Sequence, residues 1–244
     1  MKPVDIVMLT KNSERMLDKC LASIYENVPV ASLIVVDGYS ADNTLKILED
    51  FNKRYGNVKV VTEAGTRGAA RERGIREVRT EWFVFVDSDV ILCKDWFKKA
   101  YASVDEKVGA VWGVDIPGDV ENKLTVRVLQ WMEARVFDIR GGCHDLLVRY
   151  DAVKDIKIPS ELHTLEDAYI RDWIVSKDYK VFVSYAAWCK HYKTMGSLFS
   201  RENALSTVRE FKSMRLMRER LIYAGIFAFM WLLQGAKSRG KKGY

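Results

Sequence analysis

The first 93 residues alternate between short apolar runs and stretches in which apolar residues recur every third or fourth position. A short apolar run predicts a buried strand, and the three-to-four spacing predicts an amphipathic helix. Strands are predicted at residues 4–9, 33–36, 58–61 and 82–86, and helices at 13–25, 43–51 and 69–78. Because apolar strands separated by helices are typical of sheets covered on both faces, this pattern predicts an α/β fold with a mostly parallel central sheet flanked by helices.

From about residue 95 the alternation becomes less regular. Strands are predicted at residues 108–114, 146–149 and 180–184, and helices at 124–137 and 165–175. Beyond residue 200 the pattern changes to a basic amphipathic helix at 206–220 and an apolar segment at 221–233. As a helix that segment would cover about 20 Å, which is less than the roughly 30 Å of membrane hydrocarbon. We therefore predict one α/β domain over residues 1–200, with halves at 1–93 and 94–200, and a basic amphipathic helical tail over 201–244.

The composition limits the class of protein. The chain has 244 residues, 48% of them hydrophobic, which is enough for a packed core and excludes a disordered chain. Its four cysteines are scattered without a CxxC pair, so neither a zinc ribbon nor a disulfide framework is predicted. Residues 1–3 lead directly into the first predicted strand. We therefore expect no secretory signal peptide and a cytoplasmic location.

The positive charge is concentrated in the tail. The net charge is +6, and residues 201–244 contain ten basic and three acidic side chains, so the first 200 residues carry about −1. This distribution argues against nucleic acid as a partner of the α/β domain. A basic amphipathic helix favours peripheral contact with an anionic membrane face through residues 206–244. An oligomer interface and a helix packed on the protein's own core are the alternatives.

The sharpest chemical signal is Asp87-Ser88-Asp89, which directly follows the apolar run at residues 82–86. Side chains alternate along an extended chain, so Asp87 and Asp89 are predicted to project to one side and Ser88 to the other. Open α/β sheets bind ligands at the carboxyl ends of their strands. Two carboxylates there repel each other unless a cation lies between them. Oxygen ligands suit Mg²⁺ or Mn²⁺, which would in turn contact a diphosphate. A surface turn is the alternative.

Two further segments carry candidate ligand-binding residues. Residues 65–74 combine small residues with arginines. A helix that starts near Ala69 would direct amide groups at an anion, and Arg71 is predicted to clamp a phosphate. Residues 36–44 follow the second predicted strand. Asp37 is predicted there to accept a hydrogen bond from a nucleobase or ribose, while Asp42 and Ser40 are predicted to cap the next helix.

Four segments occur in the order found in family 2 glycosyltransferases: residues 10–14, 36–44, 68–71 and 87–89. Further along, Glu166-Asp167 resembles the acidic pair of that family, and His191 falls near its late metal-binding histidine. The chain therefore resembles a family 2 glycosyltransferase over residues 3–200. The resemblance implies a GT-A-type Rossmann-like domain, with a nucleotide-binding half followed by an acceptor half, a nucleotide-sugar donor, and inversion at the anomeric carbon.

The resemblance also implies roles for individual residues. Asp87 and Asp89, with His191, would hold Mg²⁺ or Mn²⁺ against the diphosphate of the donor. Asp167, next to Glu166, would face the acceptor, either as the base that takes a hydroxyl proton or as an orienting group for an oxygen that is already ionised. A helix cap paired with Thr164 is the alternative role of Asp167. The residues implied at the donor nucleotide are Thr10, Asn12, Glu14, Asp37, Arg67, Arg71, Asp87 and Ser88.

These expectations together predict an inverting transferase that moves one sugar from a UDP- or GDP-linked donor. Its acceptor is expected to be polyprenyl-phosphate-linked, a glycolipid, or otherwise presented by a membrane. Gly38 stands where many family members have a second aspartate, so the nucleobase is left open. No processive-synthase motif follows Glu166-Asp167, which favours single transfer over polymerisation. The alternatives are a sugar-phosphate nucleotidyltransferase and a catalytically silent, membrane-associated protein that binds nucleotide sugars.

Overall fold

A computed structural model describes residues 2–118, 124, 131, 142–192 and 210. Within these residues the strands are β1 (Val4–Thr10), β2 (Val30–Asp37), β3 (Val58–Thr62), β4 (Trp82–Val86), β5 (Val90–Leu92), β6 (Val108–Pro117), β7 (Asp145–Arg149) and β8 (Lys180–His191). The helices are α1 (Glu14–Asn27), α2 (Thr44–Tyr55), α3 (Arg67–Ile75), α4 (Trp96–Tyr101), α5 (Tyr150–Val153) and α6 (Glu166–Ser176).

The described strands form one sheet in the order β3-β2-β1-β4-β7-β6-β8-β5. The first four in this order are parallel to one another, β7 is antiparallel to both of its neighbours, and β6 and β8 are again parallel. β5 closes the far edge antiparallel to β8. The predicted α/β fold with a mostly parallel sheet is therefore confirmed. The carboxyl ends of the four leading strands lie along one rim, where α/β proteins bind ligands.

Both faces of the sheet are buried, as the uninterrupted apolar strands predict. In β1, Ile6 and Met8 belong to the hydrophobic cluster that includes α1, whereas Val7 belongs to the cluster on the opposite face with α3 and α6. This division follows from the two-residue period of an extended chain. The apolar sequence of β1 therefore places the strand between the helices that cover the two faces of the sheet, with its carboxyl end at the rim.

The later strands are longer than predicted. β8 continues to His191 instead of ending at residue 184, and β6 continues to Pro117. The polar-apolar alternation of β8 is interrupted because Tyr185 and Ala186 are both exposed, where its pairing with β6 shifts in register. An irregularity of this kind hides the second half of a strand from an analysis of periodicity. The short strand β5 was also missed.

Several predictions fall on residues outside the described ranges. Of the helix predicted at 124–137, the structure describes Leu124 and Trp131, which are both helical. Of the tail over 201–244, it describes Glu210, so the basic helix at 206–220 and the apolar segment at 221–233 lie outside the described residues. Among the helices that the structure describes, none combines the length and the apolarity that crossing a bilayer requires.

Candidate functional site

Asp87, Asp89 and His191 meet at the rim of the sheet. One ligand atom from each of the three side chains lies within 4.8 Å of the other two. The pairing of β5 with β8 produces this arrangement, because Val90 is opposite His191 and brings the preceding Asp89 beside it. Asp89 Oδ1 lies 3.0 Å from His191 Nε2. Ser88 is directed elsewhere, and its hydroxyl contacts that of Ser13 at 2.8 Å.

The sequence analysis missed Asp115, which holds the ring of His191 from the other side. Asp115 Oδ2 lies 2.9 Å from His191 Nδ1, and both side chains are buried. Asp115 pairs with Cys189 between the parallel strands β6 and β8, so it faces the same side of the sheet as Cys189 and His191. The available signal was a single carboxylate within the otherwise apolar segment 108–116.

This donor set fits a divalent cation. An ionised Asp115 can only accept, so Nδ1 of His191 carries the hydrogen and donates it. A neutral ring then presents the lone pair of Nε2 to the carboxylate of Asp89, which is repulsive unless a proton or a cation lies between them. A histidine whose second nitrogen donates to a carboxylate is the usual arrangement at metal sites. The two carboxylates suit both Mg²⁺ and Mn²⁺, and the imidazole favours the transition metal Mn²⁺ over Mg²⁺.

Arg71 is buried beside this cluster. Its Nη2 donates to Asp87 Oδ1 at 2.6 Å, and its guanidinium lies over the ring of Phe85 at 5.0 Å from the centroid. Burial opposes the charge of Asp87, but the guanidinium of Arg71 outweighs it, so the pKa of Asp87 is lowered. Arg71 Nε and Nη1 have no hydrogen-bond partner among the described residues. Two donors of this guanidinium are therefore available to a ligand oxygen.

Glu166 and Asp167 form the first turn of α6. Burial, and next the charge of Asp167, raise the pKa of Glu166 to about 8, although Arg71 and Arg67 act in the opposite direction. A carboxyl group that retains its proton at neutral pH cannot act as a base there.

The alternative role of Asp167, a helix cap paired with Thr164, is not the arrangement at the start of α6. The cap position is occupied by Leu165, which makes no side-chain cap hydrogen bond. The hydroxyl of Thr164 instead donates to Glu210 Oε1 at 2.8 Å. Asp167 Oδ1 accepts from the amide of Ala168 at 2.8 Å. A carboxylate that is distant in sequence has thus replaced the local capping pair.

On the nucleotide side, Asp37 organises the loop after β2. Its Oδ1 accepts from the hydroxyls of Thr10 (2.9 Å) and Ser40 (2.6 Å), and its Oδ2 accepts from the amide of Ser40 at 2.8 Å. Asp37 is 1% exposed. The amide and the hydroxyl of Ser40 therefore both donate to Asp37, and the prediction that Ser40 caps α2 was wrong. Contact between Asp37 and a nucleoside stays a prediction.

Asn12, Glu14 and Asp42 connect the loops that follow β1 and β2. Asp42 Oδ2 accepts from the amide of Glu14, and its Oδ1 accepts from the amide of Thr44, so Asp42 caps the starts of both α1 and α2. The capping role predicted for Asp42 is confirmed. Glu14 Oε2 accepts from both nitrogens of Asn43, and Asn12 Oδ1 accepts from the amide of Ala41. These bonds hold the two loops together at the rim.

The N-terminus of α3 is occupied by the protein itself. The helix begins at Arg67, two residues earlier than predicted, and the hydroxyl of Thr66 accepts from the amide of Ala69. The amide of Gly68 donates to the carbonyl of Leu162 at 3.0 Å. The prediction that this terminus directs amides at an anion was therefore wrong. Arg67, whose side chain is exposed, remains available to a ligand.

Residues 5–154 match the family model described as Glycosyl transferase family 2. Poly(ribitol-phosphate) beta-N-acetylglucosaminyltransferase TarS of Staphylococcus aureus is 28% identical over 181 residues, which are 68% of this chain and 31% of TarS. Poly(ribitol-phosphate) beta-glucosyltransferase of Bacillus spizizenii is 36% identical over 92 residues, which are 35% of this chain and 14% of that protein. The chain thus spans less than a third of the length of either relative.

Two solved structures share the fold. Mannosyltransferase PcManGT from Pyrobaculum calidifontis, in complex with GDP-Man and Mn²⁺, has a TM-score of 0.69 at 16% identity, with 99% of this chain and 76% of that chain covered. Staphylococcus aureus TarS in complex with UDP has a TM-score of 0.60 at 22% identity, with 88% of this chain and 67% of that chain covered. At these identities the likeness concerns the fold, which is the α/β GT-A fold implied by the sequence resemblance.

Replacing Asp115 by asparagine is expected to weaken Mn²⁺ binding about 10-fold to 100-fold, because the outer carboxylate orients the histidine and raises its basicity. The affinity is measured from the electron paramagnetic resonance signal of free Mn²⁺ during a titration of the full chain. Asp151→Asn, which changes an exposed carboxylate paired with Lys154, is the control. An unchanged affinity in Asp115→Asn would contradict the role assigned to this contact.

The raised pKa of Glu166 predicts a pH dependence of stability. Between its ordinary value of 4.5 and about 8, the unfolded chain has lost a proton that the folded protein retains. The free energy of unfolding should therefore fall as the pH rises through this window, by up to about 1.4 kcal/mol per pH unit. Glu166→Gln removes this contribution. Urea unfolding of both proteins at several pH values tests it, and equal slopes would show that Glu166 titrates normally.

Proposed function

Because the chain belongs to glycosyl transferase family 2, we propose that it is an inverting glycosyltransferase. It would move a single sugar from a UDP- or GDP-linked donor to an acceptor that is lipid-linked or otherwise presented by a membrane. The observation that carries the proposal is the cluster of Asp87, Asp89 and His191 beside the buried Arg71. Two structural neighbours are in complex with GDP-Man and Mn²⁺ and with UDP, which supports a nucleotide-sugar donor.

The donor diphosphate would lie at the cation site, next to Arg71. Asp87, Asp89 and His191 would hold Mg²⁺ or Mn²⁺, and Asp115 would orient His191. A divalent cation at this position supplies Lewis-acid stabilisation of the charge that develops on the leaving nucleoside diphosphate. The guanidinium of Arg71 has two donors without a described partner, so it would donate to the phosphate oxygens of the same leaving group.

Asp167 would act at the acceptor. As the acceptor oxygen attacks the anomeric carbon, Asp167 takes its proton. The bond between the anomeric carbon and the diphosphate oxygen breaks, and its electron pair leaves with the nucleoside diphosphate. Attack from the face opposite this leaving group inverts the anomeric configuration. For an acceptor whose attacking oxygen is an ionised phosphate, no proton needs to be taken, and Asp167 would orient that oxygen.

Asp89→Ala tests the metal assignment. Transfer from the matching UDP- or GDP-sugar is expected to fall by about 10²-fold to 10³-fold or more, because the leaving group loses its charge stabilisation. The matching nucleoside diphosphate should raise the melting temperature of the wild type only when Mn²⁺ is present, and this Mn²⁺-dependent rise should be lost in Asp89→Ala. Asp151→Ala is the control for removal of a carboxylate at the surface.

Full transfer activity in Asp89→Ala would contradict the metal assignment. The products distinguish the alternatives to the proposed reaction. A nucleotidyltransferase would consume a sugar phosphate and release pyrophosphate, whereas the proposed reaction releases a nucleoside diphosphate. A silent binding protein would show the Mn²⁺-dependent rise in melting temperature but no turnover with any acceptor or with water.

We also propose a peripheral position at the cytoplasmic face of a membrane. Its support is the positive charge of residues 201–244 in a chain whose first 200 residues are nearly neutral. The full chain is expected to co-sediment with vesicles that contain anionic lipid and to remain in solution with neutral vesicles. Changing Lys237, Arg239, Lys241 and Lys242 to glutamine should reduce binding markedly. Equal sedimentation of the two proteins would contradict a role for this basic cluster.

A further inference from the structure

We propose that Glu210 is a positioning residue for the acidic pair Glu166-Asp167. This inference rests on the proposed function, because it assigns the acceptor-side geometry in part to a residue of the C-terminal segment. Glu210 lies in the predicted tail, yet it is 2% exposed. At this residue the chain is therefore packed against the described α/β domain. The acidic pair then depends on a residue about 45 positions further along the chain.

The carboxylate of Glu210 binds the start of α6 at three points. Oε2 accepts from the amides of Thr164 at 2.8 Å and Leu165 at 2.9 Å, and Oε1 accepts from the hydroxyl of Thr164 at 2.8 Å. A helix leaves its first amides without partners inside the helix. Leu165, at the cap position, has no side-chain acceptor to offer them. Glu210 supplies that acceptor for the two residues that immediately precede Glu166.

Glu210 brings a negative charge close to the acidic pair. A third carboxylate near Glu166 and Asp167 adds like charge to a region that is already acidic. A neutral side chain could accept from the same amides without that repulsion. The hydroxyl of Thr164 also donates to Glu210. The attraction of a carboxylate to the positive end of a helix offsets the repulsion and ties the start of α6 firmly.

The contacts of Glu210 lie on the acceptor side of the site, apart from the contacts that hold the nucleotide side. The side chains of Asp37, Asp42 and Glu14 hold the loops at the nucleotide side, and their hydrogen bonds in the described part of the chain join residues within 10–44. None of these bonds involves Glu210. Loss of its carboxylate should therefore disturb the acceptor-side acids and leave nucleotide binding intact. A displacement of about 1 Å at a reacting group is enough to lower a rate about 100-fold.

The test uses the full chain with Glu210→Ala. We expect kcat for transfer to fall about 10-fold to 100-fold, with the donor KM and the affinity for the nucleoside diphosphate unchanged. Amide hydrogen exchange should accelerate in the peptide that covers residues 163–170, but not in peptides from β1 and β2. Added formate should restore part of kcat by occupying the vacated position. Glu210→Gln keeps one acceptor oxygen for the two amides and should retain most of the activity.

Glu219→Ala is the matched control, since it removes a carboxylate from the same segment. Unchanged exchange at residues 163–170 in Glu210→Ala would overturn the proposal, and so would a fall in kcat that is matched by loss of nucleotide affinity. If Glu210→Ala fails to fold, Thr164→Val removes only the hydroxyl contact and should accelerate the same exchange. A wild type without transfer activity refutes the proposed function, whereas the exchange measurement still decides the role of Glu210.

Discussion

The buried guanidinium of Arg71 is the charge on which the electrostatics of the site depend. A cation in a protein core is costly unless a partner compensates it, and Asp87 does so at 2.6 Å. The pair lowers the pKa of Asp87 despite its burial. Glu166 makes no such direct ion pair among the described residues, so burial and the charge of Asp167 dominate and its pKa is raised. Asp87, paired with Arg71, is therefore ionised and suited to bind a cation, whereas Glu166, without such a pair, keeps its proton at neutral pH.

The sequence predicts those features that depend on short-range periodicity. Apolar runs identified the strands of the first half, and the position of Asp87-Ser88-Asp89 directly after such a run placed two carboxylates at the rim. Asp42 could be identified as a cap because its partner amides lie close to it in sequence or in an adjoining loop. These features follow from the two-residue period of a strand and from hydrogen bonds between nearby residues. Both can be recognised in a single sequence.

The features that were missed depend on long-range pairing. Asp115 meets His191 only because β6 and β8 are neighbours with a particular register. The position of Thr164 is compatible with a local cap of α6, but Glu210 offers its hydroxyl a charged acceptor. Sequence spacing cannot rank a local partner against one that the fold brings from 46 residues away. The errors are therefore concentrated where the site draws on several segments.

Helix α3 fixes the separation between the two parts of the site. One side of the helix carries Arg71 against Asp87, while its N-terminus and Glu72 bind the segment that leads to the acidic pair. Gly68 donates to Leu162, and Glu72 accepts from the amide of Ile158. A side chain at position 68 would approach Ile158 within 2.8 Å, so glycine permits this close contact. The same short helix thus contacts Asp87 at the rim and the loop before α6. A shift of α3 would therefore move the donor-side and acceptor-side residues relative to each other. The alignment of those groups therefore depends on how closely α3 packs against the 158–162 segment.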